Sequence, residues 1–138
     1  MTVPSCCSRR VATILVVDDE PDILLMLRMG LEDEGHDVVM AADGEMALQR
    51  IAEQPPDLVV CDLMMPVLDG FGVLATMRAN PRLARVPVVV LTAKSLTEAE
   101  RQFLSRTAVR VLQKGEHRLA DVAALVLRAA AGARRATT

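Results

Sequence analysis

The stretch "VVCDLMMPVLDG", residues 59–70, carries a charged Asp62 at the end of a run otherwise fit for a protein core. Pro66 and Gly70 follow it as turn residues. Two readings are open at this point. Either Asp62 caps the next helix, or the strand exists to hold a carboxylate at its end.

Working outward, short apolar runs alternate with helical patterns along the chain. The runs are "ATILVV" (12–17), "DVVMA" (37–41), "DLVVC" (57–61), "VPVVVLT" (86–92) and "VRVLQ" (109–113). They are rich in Val and lack period-two alternation, as parallel strands buried on both faces require. Between them, Pro21 suits a first helical position, and Ile23, Leu24, Leu27 and Leu31 give one apolar face before Gly35. Asp43 caps a second helix carrying Ala47, Leu48 and Ile51, which ends before Pro55-Pro56. A third runs from about Gly70 to Asn80-Pro81, with Phe71, Leu74 and Met77 inward. In the fourth, Thr97 with Glu100 and Ser95 with Glu98 are equally legal capping-box registers. A last helix, about 118–131, has Leu119, Val122, Leu125, Val126 and Ala129 on one side. Strand followed by helix, five times over, predicts an α/β sandwich on a parallel sheet with right-handed crossovers. One domain over residues 11–131 is expected, between tails at 1–10 and 132–138.

Composition narrows the function. With 138 residues, 51% hydrophobic and 25% charged, the chain is globular rather than disordered. Two Phe and no Tyr or Trp leave little for stacking on single-stranded bases, and a net charge of −2 gives no broad basic footprint for a phosphate backbone. The three cysteines (Cys6, Cys7, Cys61) do not make a disulfide framework, and no Cys/His cluster has zinc spacing. Cys61 reads as a small buried hydrophobe. "SRRVATILVV" mimics an export signal, but its apolar run is short and enters Asp18, Asp19 and Glu20 without a cleavage site. No apolar stretch approaches a membrane span, so a cytoplasmic protein is expected.

Parallel sheets collect function beyond the carboxyl ends of their strands. There the first strand ends in Asp18-Asp19, the third in Asp62, the fourth in Thr92 and the fifth in Lys114. Each alone is ordinary turn chemistry. Together, three carboxylates and a lysine sum to −2, and a divalent ion preferring hard oxygen ligands, most simply Mg²⁺, balances them. Metal, lysine, hydroxyl and a spare carboxylate are the parts of a phosphoryl-transfer site, with Asp62 as nucleophile.

The series "VVDDEP", "DLMMPVLDG", "LTA" and "LQKG", in that order, resembles the receiver domain of two-component response regulators over roughly residues 12–131. The resemblance implies a flavodoxin-like (βα)5 fold with strand order 2-1-3-4-5. It makes Asp62 the phosphoacceptor, Asp19 a direct Mg²⁺ ligand and Asp18 a neighbour acting through water. It gives Met64 the role of lending the metal a backbone carbonyl. Thr92 and Lys114 would bind the phosphoryl group, Ala93 would leave the site open, and Met64 and Lys94 fall at rate-tuning positions. His36 and His117 match no site position and are expected at the surface. Two positions depart from the family pattern. Val111 replaces the aromatic residue that reports phosphorylation to the face formed by helix 4, strand 5 and helix 5. Gly115 replaces the proline after the lysine. Similar "RVLQKG" endings occur in receivers of hybrid sensor kinases.

The implied function is a single-domain response regulator that takes a phosphoryl group on Asp62 from a phosphohistidine donor, on a sensor histidine kinase or a phosphotransfer protein. It would signal through a downstream protein or a phosphorelay, as a monomer or weak dimer, without binding DNA or membrane. The alternative is a phosphorylation-independent docking module on the same fold. A phosphatase of the haloacid-dehalogenase kind is disfavoured, because its paired acids stand two residues apart and those of "VVDDEP" are adjacent.

Overall fold

The computed structural model describes residues 12–108 and 110–113, together with Ala124 and Arg128, which are helical and exposed. Lys114, Gly115, His117, both expected tails and the rest of the expected last helix lie outside the described residues. The elements are β1 (Thr13–Val17), α1 (Pro21–Asp33), β2 (Asp37–Ala41), α2 (Gly44–Glu53), β3 (Leu58–Cys61), α3 (Gly70–Ala79), β4 (Val88–Thr92), α4 (Glu98–Thr107) and β5 (Arg110–Gln113). The five strands pair in parallel in the order β2-β1-β3-β4-β5, as the flavodoxin-like reading requires.

The Val-rich strands divide their side chains between two cores. Leu15, Val17, Val59, Cys61, Val88 and Val90 face one way, against Ala47 and Ile51 of α2, Val73, Leu74 and Met77 of α3, and Leu104 of α4. Ile14, Val16, Leu58, Val60, Val89 and Leu91 face the other way, where Leu27 and Leu31 of α1 cover them. Alternate residues therefore enter different cores, and neither face of a central strand is left for polar side chains. Each fully buried Val or Leu stabilises the fold by roughly 1.5–3 kcal/mol relative to exposure.

Helix ends follow local chemistry. Asp43 accepts the Met46 N–H at 2.8 Å and so caps α2. Asp69, which the sequence reading passed over, caps α3 by accepting the Gly72 N–H at 2.9 Å. For α4 the structure selects Thr97 with Glu100: the Thr97 hydroxyl accepts the Glu100 N–H, and the Glu100 carboxylate accepts the Thr97 N–H. Gly35 ends α1 at φ 90°, a backbone region glycine enters without steric cost. His36, expected at the surface, is half-buried and takes the Ala12 N–H on Nδ1 at 3.2 Å. The outer face of α1 leaves Leu25, Met26 and Met29 substantially exposed, which the inward stripe gave no reason to expect.

Arg78, in the last turn of α3, joins three segments. Its Nε donates to the Thr107 carbonyl at 2.9 Å, at the end of α4, and its Nη1 donates to the Ala84 and Val86 carbonyls, both at 2.9 Å. Burial of the guanidinium lowers its pKa, a cost these charge-assisted bonds offset. Arg78→Ala removes the fork and strands partly buried carbonyls, so a stability loss of about 2–3 kcal/mol is expected in urea unfolding. Arg78→Lys restores little of it, because a point charge does not reach divergent acceptors together.

Candidate functional site

The register of the sheet brings the acids together. Val17 of β1 lies between Ala41 of β2 and Cys61 of β3, so the residues that follow Val17 and Cys61 leave the sheet side by side. The pairing runs one step further: the Asp62 N–H donates to the Val17 carbonyl at 3.0 Å, and the Asp18 N–H to the Ala41 carbonyl at 3.1 Å. Strand order reverses between β1 and β3, where open α/β sheets form their ligand crevice. Asp18 is 2% exposed and Asp62 4% exposed, so both carboxylates are taken out of bulk water.

Carboxylate oxygens of Asp18, Glu20 and Asp62 all lie within 4.8 Å of one another. Glu20 was not singled out from the sequence. It reaches the cluster because the Asp18 side chain accepts the Glu20 N–H at 2.9 Å and folds "DDEP" into a tight turn. Asp19 is exposed and lines an adjoining cavity of about 710 Å³, together with Met64, Asp69, Lys94 and Glu100. Three oxygen donors at this spacing, two of them buried, suit a hard divalent cation and offer nothing to a soft one.

Asp62 does not cap a helix; that task in α3 belongs to Asp69. Its own side chain accepts the Met64 N–H at 3.2 Å, which holds the start of the loop against the carboxylate. The Leu68 N–H donates to the Pro66 carbonyl at 2.8 Å across Val67, whose φ is 70°. That is a strained γ-turn, unusual for a β-branched residue. Two glycines then allow backbone to touch backbone. A Cβ on Gly70 would overlap the Asp62 carbonyl oxygen and stand 2.8 Å from Leu63 Cα. One on Gly44 would overlap the Leu68 carbonyl oxygen, which accepts the Gly44 N–H at 3.1 Å.

Across the crevice, Thr92 ends β4 fully buried, and its hydroxyl accepts the Lys94 N–H at 3.1 Å. The Lys94 ammonium lies 3.4 Å from the Glu100 carboxylate. Lys114 follows Gln113, the β5 residue paired with Thr92, and lies outside the described residues. Cys61 is fully buried, and its thiol donates to the Asp62 carbonyl at 3.3 Å. Burial raises its pKa far above the ordinary thiol value, and the Asp62 and Asp18 carboxylates raise it further.

Two outcomes follow from this geometry. Gly70→Ala displaces the Asp62 carbonyl or the loop, so a loss of about 1–3 kcal/mol in chemical unfolding is expected. In the folded chain Cys61 stays protonated well above pH 9, whereas in the unfolded chain it ionises near its ordinary value of 9.0. The unfolded state then binds fewer protons, and stability falls as pH rises above 9. Denaturation between pH 8 and 10 therefore shows a steeper loss in the wild type than in Cys61→Ala.

Comparisons with known proteins identify the family. The model of the response regulator receiver domain matches residues 14–125. The alkaline phosphatase synthesis transcriptional regulatory protein PhoP of Bacillus subtilis is 46% identical over 81 residues, 59% of this chain and 33% of PhoP. The chain thus spans about a third of the length of such curated relatives. Among solved structures, the N-terminal domain of a response regulator receiver protein from Methanoculleus marisnigri matches with TM-score 0.69 and 35% identity, over 84% of this chain and 96% of that one. The receiver domain of a signal transduction histidine kinase from Syntrophus aciditrophicus matches with TM-score 0.77 and 26% identity, over 88% and 92%. Among the described residues no helix is long and apolar enough to cross a membrane. A carboxylate crevice at the β1–β3 reversal, on a 2-1-3-4-5 sheet and within a family match over residues 14–125, has one conclusion: the chain belongs to the response regulator receiver domain family.

Proposed function

We propose that this receiver domain accepts a phosphoryl group on Asp62 from a phosphohistidine of a sensor histidine kinase or phosphotransfer protein, in a Mg²⁺-dependent reaction. The observation that carries this reading is the buried pair Asp18 and Asp62, with Glu20, held within 4.8 Å at the β1–β3 crevice. A carboxylate oxygen of Asp62 attacks phosphorus as the P–N bond to the donor imidazole breaks. The product is an acyl phosphate, and the imidazole nitrogen leaves with the bonding pair and takes up a proton.

Mg²⁺, when bound, supplies positive charge against the phosphoryl oxygens. Asp18, Asp19, Asp62 and the Met64 carbonyl form the expected ligand set, and the short distances to Glu20 add that residue to it. The buried Thr92 hydroxyl is assigned to a phosphoryl oxygen, and Lys114, by resemblance, to the same group. Self-catalysed phosphorylation from small donors and self-catalysed dephosphorylation belong to this proposal. Output runs through a downstream protein or through transfer of the group onward.

Intact-mass measurement after incubation with acetyl phosphate or phosphoramidate tests the proposal. A gain of one phosphoryl group with Mg²⁺, absent without the ion and absent from Asp62→Asn, is the expected result. No gain, together with no beryllofluoride binding, overturns it in favour of a docking module, the reading that Val111 on β5 would then support.

A further inference from the structure

Phosphoryl chemistry at a sheet edge signals only if a partner-facing element responds. The family's usual reporter is an aromatic side chain on β5; here that position holds Val111, half-buried beside Val90. A β-branched aliphatic has one stiff χ1 and no ring to swing. The task falls to another contact between the crevice and the helical face.

Lys94 makes that contact twice over. Its N–H donates to the Thr92 hydroxyl at 3.1 Å, and its ammonium meets Glu100 at 3.4 Å. Glu100 is the third residue of α4, and its other carboxylate oxygen accepts the Thr97 N–H at 2.9 Å, closing the capping box. The Thr97 backbone first, and Lys94 after it, hold the Glu100 carboxyl below the usual range, so it stays ionised. Lys94 and Glu100 line the same open cavity as Asp19, Met64 and Asp69, so a clear path joins the ammonium to the acid loop. Leu96, in the connection between them, also lines a groove of about 490 Å³ between α4 and β5 with Leu104, Ala108 and Val111.

We infer that the Lys94–Glu100 pair is the relay that carries the state of the acid crevice to the first turn of α4. The inference rests on phosphorylation at Asp62. The pair is partly exposed, with side chains 32% and 25% accessible, and such pairs contribute little to stability. A phosphoryl group adds a second negative charge at Asp62 and a stronger set of acceptors. It draws the Thr92 hydroxyl off the Lys94 amide and the flexible lysine off Glu100. Glu100 then keeps only its cap, the segment 94–97 loosens, and the groove beside Leu96 changes shape.

The test is hydrogen exchange on the full chain, with and without beryllofluoride and Mg²⁺, beside intact-mass measurement of phosphoryl uptake. In the wild type, exchange over residues 94–101 rises about two- to five-fold on addition, the span expected for losing a partly exposed ion pair. In Glu100→Gln the amide still accepts the Thr97 N–H, so α4 stays capped and Asp62 still takes the phosphoryl group. Exchange over residues 95–101 is raised there before addition and does not respond further, whereas the Lys94 amide, bonded to Thr92, still responds. Lys94→Met likewise loses the exchange response over residues 95–101, and Lys94→Arg restores part of it. A wild-type response that survives intact in Glu100→Gln overturns the relay, as does phosphoryl uptake with no change over 94–101. A wild type that takes up neither phosphoryl group nor beryllofluoride overturns the phosphoacceptor reading itself, and the relay with it.

Discussion

Like charges at close range in a poorly solvated place repel, and the structure brings Asp18 and Asp62 together all the same. The force that holds them there is the burial of four strands' worth of Val, Leu and Ile on both sides of a parallel sheet. Because β1 and β3 are locked in register through their cores, the residues following Val17 and Cys61 have no freedom to separate. Held side by side with Glu20, these carboxylates present oxygens at a spacing that a hard divalent cation suits, which is the ground of the proposed Mg²⁺ site. Hydrophobic packing below the sheet edge fixes the place of the carboxylates above it.

Much of this was legible in the chain. A strand buried on both faces has few compositions open to it, so the Val-rich runs could be read with their boundaries nearly intact. Once strands are parallel, their last residues meet at one edge, and Asp18, Asp62 and Thr92 are ordered by topology rather than by spacing. Asp43 as a cap was equally plain, because its partner is three residues away.

What escaped the sequence depended on contacts between distant segments or on a backbone turn. Glu20 joins the acid cluster only because the Asp18 side chain bends the chain back on itself. Arg78 acquires its role only through the 83–86 turn and the end of α4, which no local pattern brings to it. Thr97 and Ser95 offered identical cap patterns, and nothing local separates them. The left-handed backbone of Val67 was hidden because its residue type argues against that conformation. The outward Leu25, Met26 and Met29 were invisible to a reading that looked for an inward stripe.

The two walls of the crevice are built differently. On the side of Asp62, main chain rests on main chain at Gly70 and Gly44, with no side chain between to give way. On the side of Thr92, the connection to α4 is held by a partly exposed ion pair and one hydroxyl bond, the two contacts the inferred relay would release. The crevice is built as a vice, with one jaw fixed by backbone contact and the other, on the inferred relay, free to slide. On the relay inferred above, a load placed at its centre moves the structure in a single direction, toward α4. That asymmetry also divides the chain's freedom to vary. Residues of the sliding jaw can be exchanged to adjust how far and how readily it travels, while those of the fixed jaw admit almost nothing larger than hydrogen.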